Sequence, residues 1–290
     1  MGAKLTRRSF LKALGIGFLE MILAAAGGVG YSVLVESSQF QVENVPLKLK
    51  RLPKRLSGLR VAQLSDIHMG GWMNLDRFKE VTKLLLAENP DILLLTGDFV
   101  YGYKFNEYTH QVIEDLVEGL SPLATSIPTF AVLGNHDYWL DAEKIREMLA
   151  TCGITDLTNT SFPFFWNGTR LNLCGVDDVW EGDARLDDVI ALLDGNSPAI
   201  LLAHEPDFAD ICAFTGKFDL QISGHSHGGQ IVLPLVGPPI LPHLGTKYHS
   251  GLYQVGEMFQ YTNRGVGMGR VPVRLNCPPE ITIFTLEGGS

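Results

Sequence analysis

The chain has 290 residues, enough for one large α/β domain or two small ones. Its content of 46% hydrophobic and 19% charged residues describes a globular chain and excludes a disordered one. The net charge of -9 is uneven: residues 1–60 carry ten Lys/Arg against three acids, and the remainder 13 against 29. A body that acidic excludes a general nucleic-acid binder, since phosphate backbones are held by clustered Lys and Arg, yet it can still take one phosphate ester through metal ions.

The chain opens with Thr6-Arg7-Arg8-Ser9-Phe10-Leu11-Lys12 and a Gly/Ala-rich apolar stretch. The pattern resembles the signal of the twin-arginine export pathway and implies export by that machinery to an extracytoplasmic, membrane- or envelope-associated location. Glu20 interrupts the apolar segment, and Ala24-Ala25-Ala26 offers a small-residue cleavage site. Met21 to Val35 is 15 residues, short of the ~20 that span a bilayer, so residues 1–36 read as a signal that is either cleaved or kept as an anchor. Residues 37–58 form a basic neck, with Lys48, Lys50, Arg51, Lys54 and Arg55 close together. Two readings stay open for it: contact with an anionic membrane surface, or a solvated edge strand protected by its charges.

Residues 59–290 form the main domain. Leu59 to Ser65 reads as a strand delivering Asp66 and His68 at its end. Asn74 caps a helix through Phe78, Val81 and Leu84-Leu85 that stops before Pro90. Ile92 to Thr96 has no polar face, as a strand covered on both sides requires, and ends in Gly97-Asp98. A helix from about Glu107 to Leu120 precedes Ser121-Pro122, and a strand from Thr129 to Leu133 leads into Gly134-Asn135-His136-Asp137. A helix over 141–150, strands near 162–166 and 169–176, and a helix over 186–193 follow. The buried strand before His204 and the strand Asp219–Ser223 before Gly224-His225-Ser226-His227 come next. Beyond them strands and turns dominate: 230–233, 251–255, 258–262 and 281–286. The fold class is α/β, two mixed sheets packed together with helices outside. The four cysteines, Cys152, Cys174, Cys212 and Cys277, form no CxxC and read as small buried hydrophobes.

Asp, His and Asn without cysteine make a mixed oxygen/nitrogen site suited to Mn²⁺, Fe or Zn²⁺. Two such ions can clamp the attacking and leaving oxygens of a phosphoryl transfer. Asp98, an acceptor with two oxygens, can bridge them. Each motif alone is weak; five in order, each after an apolar strand, are strong together. The set D-x-H (66–68), G-D (97–98), G-N-H-D (134–137), H (204) and G-H-S-H (224–227) resembles the calcineurin-like metallophosphoesterase superfamily. The runs 262–267 and 272–281, with the twin-arginine signal, resemble its exported YaeI-like phosphodiesterase branch.

The resemblance implies a four-layer α/β/β/α sandwich and two divalent ions, Mn²⁺ preferred. One ion is held by Asp66, His68, Asp98 and His227, the other by Asp98, Asn135, His204 and His225. A metal-bridging hydroxide attacks phosphorus, His136 protonates the leaving oxygen, and Asp137 orients His136. Asn263 and Arg264, in a glycine-rich loop, are candidates for substrate contact, with a structural turn as the alternative. The apolar loop Leu233 to Pro242 follows the last motif. It either dips into a membrane beside the metals or packs under the second sheet. The leading expectation is a phosphodiesterase on a lipid-linked substrate, such as a UDP-diacylglucosamine-type compound or a phospholipid. The alternatives are a phosphomonoesterase or protein phosphatase, which shares every motif, and a non-catalytic metal-binding envelope scaffold.

Overall fold

The computed structural model describes Gly30, residues 36–269 and residues 271–288. The twin-arginine motif, and all but Gly30 of the apolar stretch behind it, lie outside the described residues. Among the described residues no helix is long and apolar enough to cross a membrane.

In chain order the elements are β1 (Gln41–Leu49), β2 (Arg60–Leu64), α1 (Leu75–Ala87), β3 (Ile92–Thr96), α2 (Glu107–Ser126) and β4 (Thr129–Val132). Then come α3 (Asn135–Leu140), α4 (Ala142–Cys152), β5 (Thr155–Asp156), β6 (Thr160–Trp166), β7 (Thr169–Gly175) and α5 (Leu186–Ala191). The rest are β8 (Ala199–Leu202), α6 (Ala209–Thr215), β9 (Leu220–Ser223), β10 (Gly251–Val255), β11 (Met258–Thr262) and β12 (Glu280–Gly288). They build two six-stranded sheets, ordered β1-β12-β2-β3-β4-β5 and β10-β11-β9-β8-β7-β6. Both are mixed. β2, β3, β4 and β5 run parallel, with β12 antiparallel to β2. In the other sheet β7, β8, β9 and β11 run parallel, with β6 and β10 antiparallel at the edges.

Alternation along the strands sorts the core into layers. Val61, Ile92, Leu94, Phe130 and Val132 of the first sheet face Leu171, Leu173, Ile200, Leu202 and Ile222 of the second in one buried cluster. The intervening residues Ala62, Leu64, Leu93 and Leu95 turn the other way and pack on α1, α2 and α4. On the far side Cys174, Ala199 and Leu201 pack against α5 and α6. The order is helix, sheet, sheet, helix.

α1 starts where the sequence places it, the Asn74 side chain accepting the Arg77 N–H at 3.0 Å. α2 runs past the expected stop, with Pro122 inside it. The ring forfeits one backbone hydrogen bond, but the apolar seam continues through the buried Leu120, Leu123 and Ile127 and holds the last turn. The strand expected over 230–233 does not form. Gln230 has φ +57, and only isolated bridges, Ile231 to Leu275 and Leu233 to Gly237, remain there. The four cysteines are free and buried, as expected. Leu94 lies fully buried between the sheets. Leu94→Ala should cost about 2–5 kcal/mol, read as a lower urea midpoint with unchanged slope.

Candidate metal centre

All the parallel strands that carry the motifs end on one side of the molecule. Asp66 and His68 follow β2, Asp98 follows β3, Asn135 and His136 open α3 just after β4, His204 follows β8, and His225 and His227 follow β9. Ligands of parallel α/β sheets collect at such carboxyl ends. Here two sheets contribute, and each holds the other's side chain. The His225 N–H donates to both Asp66 oxygens at 3.1 and 3.0 Å. The His204 Nδ1–H donates to the Thr96 carbonyl at 2.6 Å, which leaves Nε2 as the nitrogen that could take a metal.

The backbone at these positions is unusual. Asp66, His68, Asp98, His225 and His227 have φ of 51, 49, 57, 68 and 51°. This left-handed region is sparse for residues other than glycine, though Asp and His tolerate it better than most. Two glycines of the motifs are required by close approach. A Cβ on Gly134 would strike the Asp98 carboxylate, and one on Gly224 would strike the Asp66 carboxylate and the Ser65 hydroxyl.

Donor atoms converge at the spacing that one ion imposes. With metal–ligand bonds near 2.1 Å, neighbouring ligand atoms lie about 3–3.4 Å apart. His68 Nε2 and His227 Nε2 are 3.0 Å apart, His227 Nε2 is 3.3 Å from Asp66 Oδ1, and His68 Nε2 is 3.4 Å from Asp98 Oδ2. That same Asp98 Oδ2 is 3.3 Å from His204 Nε2, so one oxygen faces both halves of the site. Asp66, Asp98 and His204 form a further group, as do His68, Asp98 and His136. Asn135 Oδ1 and His204 Nε2 are buried without a hydrogen-bond partner, which a native interior rarely tolerates. His225 joins none of these groups; its ring packs edge-on against His204 with centroids 5.0 Å apart, and its Nε2–H donates to the His243 carbonyl at 2.7 Å, leaving Nδ1. The donor set fits two hard or borderline divalent cations. The structure gathers Asp66, His68, Asp98 and His227 tightly, and Asp98 with His204, beside Asn135 and His225.

The electrostatics point the same way. Burial raises Asp66 to about 7, with the Asp98 charge adding to it against His204. Burial, the neighbouring His136 and His204 lower His68 to about 3, and burial and His204 lower His225 to about 4. Burial also opposes charge on His204, but Asp98, Asp66 and Glu205 outweigh it and raise that imidazole well above its usual range. A cation entering the cluster therefore displaces protons.

Two sequence assignments are corrected here. Asp137 does not orient His136: its oxygens accept the N–H groups of Asp98, Phe99 and Gly134, each at 2.9 Å, so it fixes the turn that carries Asp98. Asn263 and Arg264 are not among the residues lining the cavity. Asn263 donates to Thr282 Oγ1 and accepts the Gly265 N–H; Arg264 pairs with Glu280 and Glu43. Their donors are consumed in holding the 263–267 loop, whose Val266 and Gly267 N–H groups bind the carbonyls of Ser65 and Asp66.

Sequence reading missed Arg274, which is wholly buried and donates to the carbonyls of Arg264, Gly265, Gly267 and Cys277. It also missed Glu205, whose carboxylate accepts the Val179 and Trp180 N–H groups and so places Trp180 on the cavity. The only signal was a carboxylate directly after His204. His136 lines the cavity with Tyr103, Trp139 and Trp180, its own N–H donating to Asp98 Oδ1 at 2.9 Å.

Asp137→Asn turns one of its acceptors into a donor facing an amide, so it should cost about 1–3 kcal/mol and lower the amount of metal retained after dialysis. Asp66 and Asp137, both raised to about 7 chiefly by burial, bind more protons folded than unfolded between about pH 4 and 7. In metal-free protein their contribution to stability therefore falls as pH rises through that window, and a cation offsets the loss. The gain in Tm on adding Mn²⁺ should be larger at pH 7.5 than at pH 5.5; an equal gain would contradict the coupling.

The chain is similar to known proteins over nearly its whole length. Over 286 residues the chain is 32% identical to a metallophosphoesterase named YkuE from Bacillus subtilis strain 168, covering 98% of each chain. Over 288 residues it is 32% identical to phosphodiesterase YaeI of Escherichia coli K12, covering 97% of this chain and 99% of that one. Among solved structures, TT1561 of Thermus thermophilus superimposes with a TM-score of 0.48 at 13% identity, over 72% of this chain and 91% of that one. The family model for calcineurin-like phosphoesterases, enzymes that bind divalent metal ions, matches residues 59–229. The chain belongs to the calcineurin-like phosphoesterase family and is a hydrolase of phosphoric esters.

Proposed function

We propose that the chain hydrolyses lipid-linked phosphodiesters, of the phospholipid or UDP-diacylglucosamine type, at a membrane surface outside the cytoplasm after twin-arginine export. The observation that carries this reading is the wall of the cavity. The donor cluster opens into a cavity of about 380 Å³, within the range of small-molecule sites. Its lining combines Asp98, Asn135, His136, His225 and His227 with the apolar Pro239, Ile240, Leu241 and Pro242 and with Trp139 and Trp180, whose rings pack against His136 and His225. An apolar wall beside a polar reacting centre suits an ester with a hydrocarbon portion. The similarity to a protein named a phosphodiesterase supports the diester rather than the monoester.

Two divalent ions, Mn²⁺ by preference, would be held by Asp66, His68, Asp98 and His227 and by Asp98, Asn135, His204 and His225, and would supply positive charge that polarises the phosphoryl group and acidifies water. The chain's own residues do the rest. Asp98, tethered through its amide by Asp137, is shared between the two halves. His136 has Nδ1 buried, so Nε2 is the nitrogen that gives a proton to the leaving oxygen. Its ring is held by Trp139, with centroids 4.5 Å apart, and by His68 at 4.5 Å. Burial lowers its pKa against the pull of Asp98, so the neutral ring with one N–H is its resting form near neutral pH.

His136→Ala should keep both metal equivalents and lose about 10²–10⁴-fold in turnover, measured by metal analysis beside hydrolysis of bis-p-nitrophenyl phosphate. Unchanged turnover would remove His136 from the chemistry. Deleting Pro238–Leu241 should lower hydrolysis of a lipid phosphodiester more than that of the small soluble diester, and equal loss would refute the lipid-linked substrate.

A further inference from the structure

Three features at the metal end of the molecule have no role in the site itself. The first is the tip of the apolar loop. The Leu233 N–H to Gly237 carbonyl bond (3.0 Å) and its return (2.9 Å) close a tight turn. At its apex Leu235 is fully solvent-exposed (108%) and Val236 is 75% exposed. Leu235 also has φ +66, an outlier for a bulky residue without a polar side chain to compensate. The fold holds a leucine in a costly conformation and points it at water. Ile240, 78% exposed, continues this surface into the cavity.

The second feature is charge. Of the 29 acids in residues 61–290, only Glu257 falls between residues 220 and 279. That one lies at the opposite end of the sheets, paired with Lys50 at 2.7 Å. The segments that form the rim of the cavity beyond β9 thus contribute no negative charge of their own in an otherwise acidic body, so they add no like-charge repulsion against an anionic surface.

The third is where the chain enters the fold. Glu36 Oε1 accepts the Cys277 N–H at 2.8 Å, and the Cys277 thiol donates to the His227 carbonyl at 3.2 Å. Whatever precedes residue 36, including the apolar residues Met21 to Val35, joins the fold beside a metal ligand. The basic cluster of the neck, Lys48 to Arg55, does not share this position. β1 runs parallel to β12, so Gln41 sits at the site end and Leu49 at the far end. There Arg51 pairs with Asp219 at 2.8 Å.

From these three features we infer that the chain rests metal end down on an anionic phospholipid bilayer, the Leu233–Gly237 turn inserted and the cavity mouth opening at the lipid headgroups. The inference rests on the lipid-linked substrate reading and adds an orientation: the same end receives the substrate and the N-terminal segment, while the basic neck faces away. Insertion of the turn beside Ile240 and Leu241 would let an acyl portion pass from the bilayer along the apolar wall without crossing water.

The test uses the full chain in vesicles of equal parts phosphatidylglycerol and phosphatidylcholine. The native thiols are buried, so an environment-sensitive fluorophore can be placed on Val236→Cys at the tip or on Lys54→Cys in the neck. Quenching by nitroxide-labelled lipid at position 236 and not at 54 is the expected result. Quenching at 54, or at neither, overturns the orientation. In parallel, the double variant Leu235→Ser, Val236→Ser should lose roughly tenfold or more in turnover of a vesicle-borne lipid diester with no change on bis-p-nitrophenyl phosphate; equal rates on both substrates also overturn it. If the parent protein cleaves the soluble diester but no lipid diester, the substrate reading fails, and the two labels still decide the orientation.

Discussion

The site depends on a reciprocal clasp between the two sheets. The Asp66 carboxylate, at the end of a strand in the first sheet, is held by an amide of the second, and His204, at the end of a strand in the second, is held by a carbonyl of the first. The fully buried Gln63 adds a third tie, its side chain donating to Thr96 Oγ1 within its own sheet and to the Ser223 carbonyl in the other. Asp66 and His204 are therefore each placed by both sheets. The distances between their donor atoms are set by how closely the sheets pack, which is set by the apolar layer between them. Core packing and metal affinity are two readings of one geometry.

What the sequence disclosed and what it hid follow from range. The strands before Asp98, Asn135 and His204 were legible because an apolar run ending in Gly, Asp, Asn or His admits few structures, and the strand before Asp66 because its residues alternate; glycine stands where a carboxylate from another strand comes within contact at Gly134 and Gly224. Gly134-Asn135 and Gly224-His225 are short-range signals of a long-range fact. Pro122 misled because a local penalty was outweighed by burial of Leu123 and Ile127, which depends on partners far away in the chain. The helix Asn135–Leu140 went unread because its first residues are the polar site residues and it has too few turns to show a period. Asp137 was assigned to its neighbour His136, whereas its carboxylate reaches the β3 turn some 39 residues earlier. For Asn263 and Arg264 the glycine-rich loop left substrate contact and a structural turn both open, and only the tertiary fold shows their donors already taken.

Strain and support are distributed differently around the site. Five of the expected ligands occupy left-handed backbone, a conformation costing of order 1–3 kcal/mol for each such residue. The expense is tolerated because the surroundings fix these turns several times over. Asp137 gathers three amides on one side. On the other, the 263–267 loop binds the backbone of Ser65 and Asp66 and is itself tied down by the guanidinium of Arg274. Arg274 faces carbonyls and no carboxylate among these bonds, so it stiffens the loop without competing for the acids that the metals need.

The placement of β12 has a consequence for how the protein can be made. This strand lies between β1 and β2, so two segments from the first quarter of the chain have no direct pairing with one another and await a partner that emerges more than two hundred residues later. Until residues 280–288 have left the ribosome, β1 has no place in the sheet, and the Glu280 that Arg264 grips is not yet present. A nascent chain can assemble β2, β3 and β4 with their helices as it emerges, but not the completed end of the molecule where the ligands meet. The support that Glu280 gives Arg264, and that the 263–267 loop gives the backbone of Ser65 and Asp66, is thus complete only after synthesis has passed the last strand.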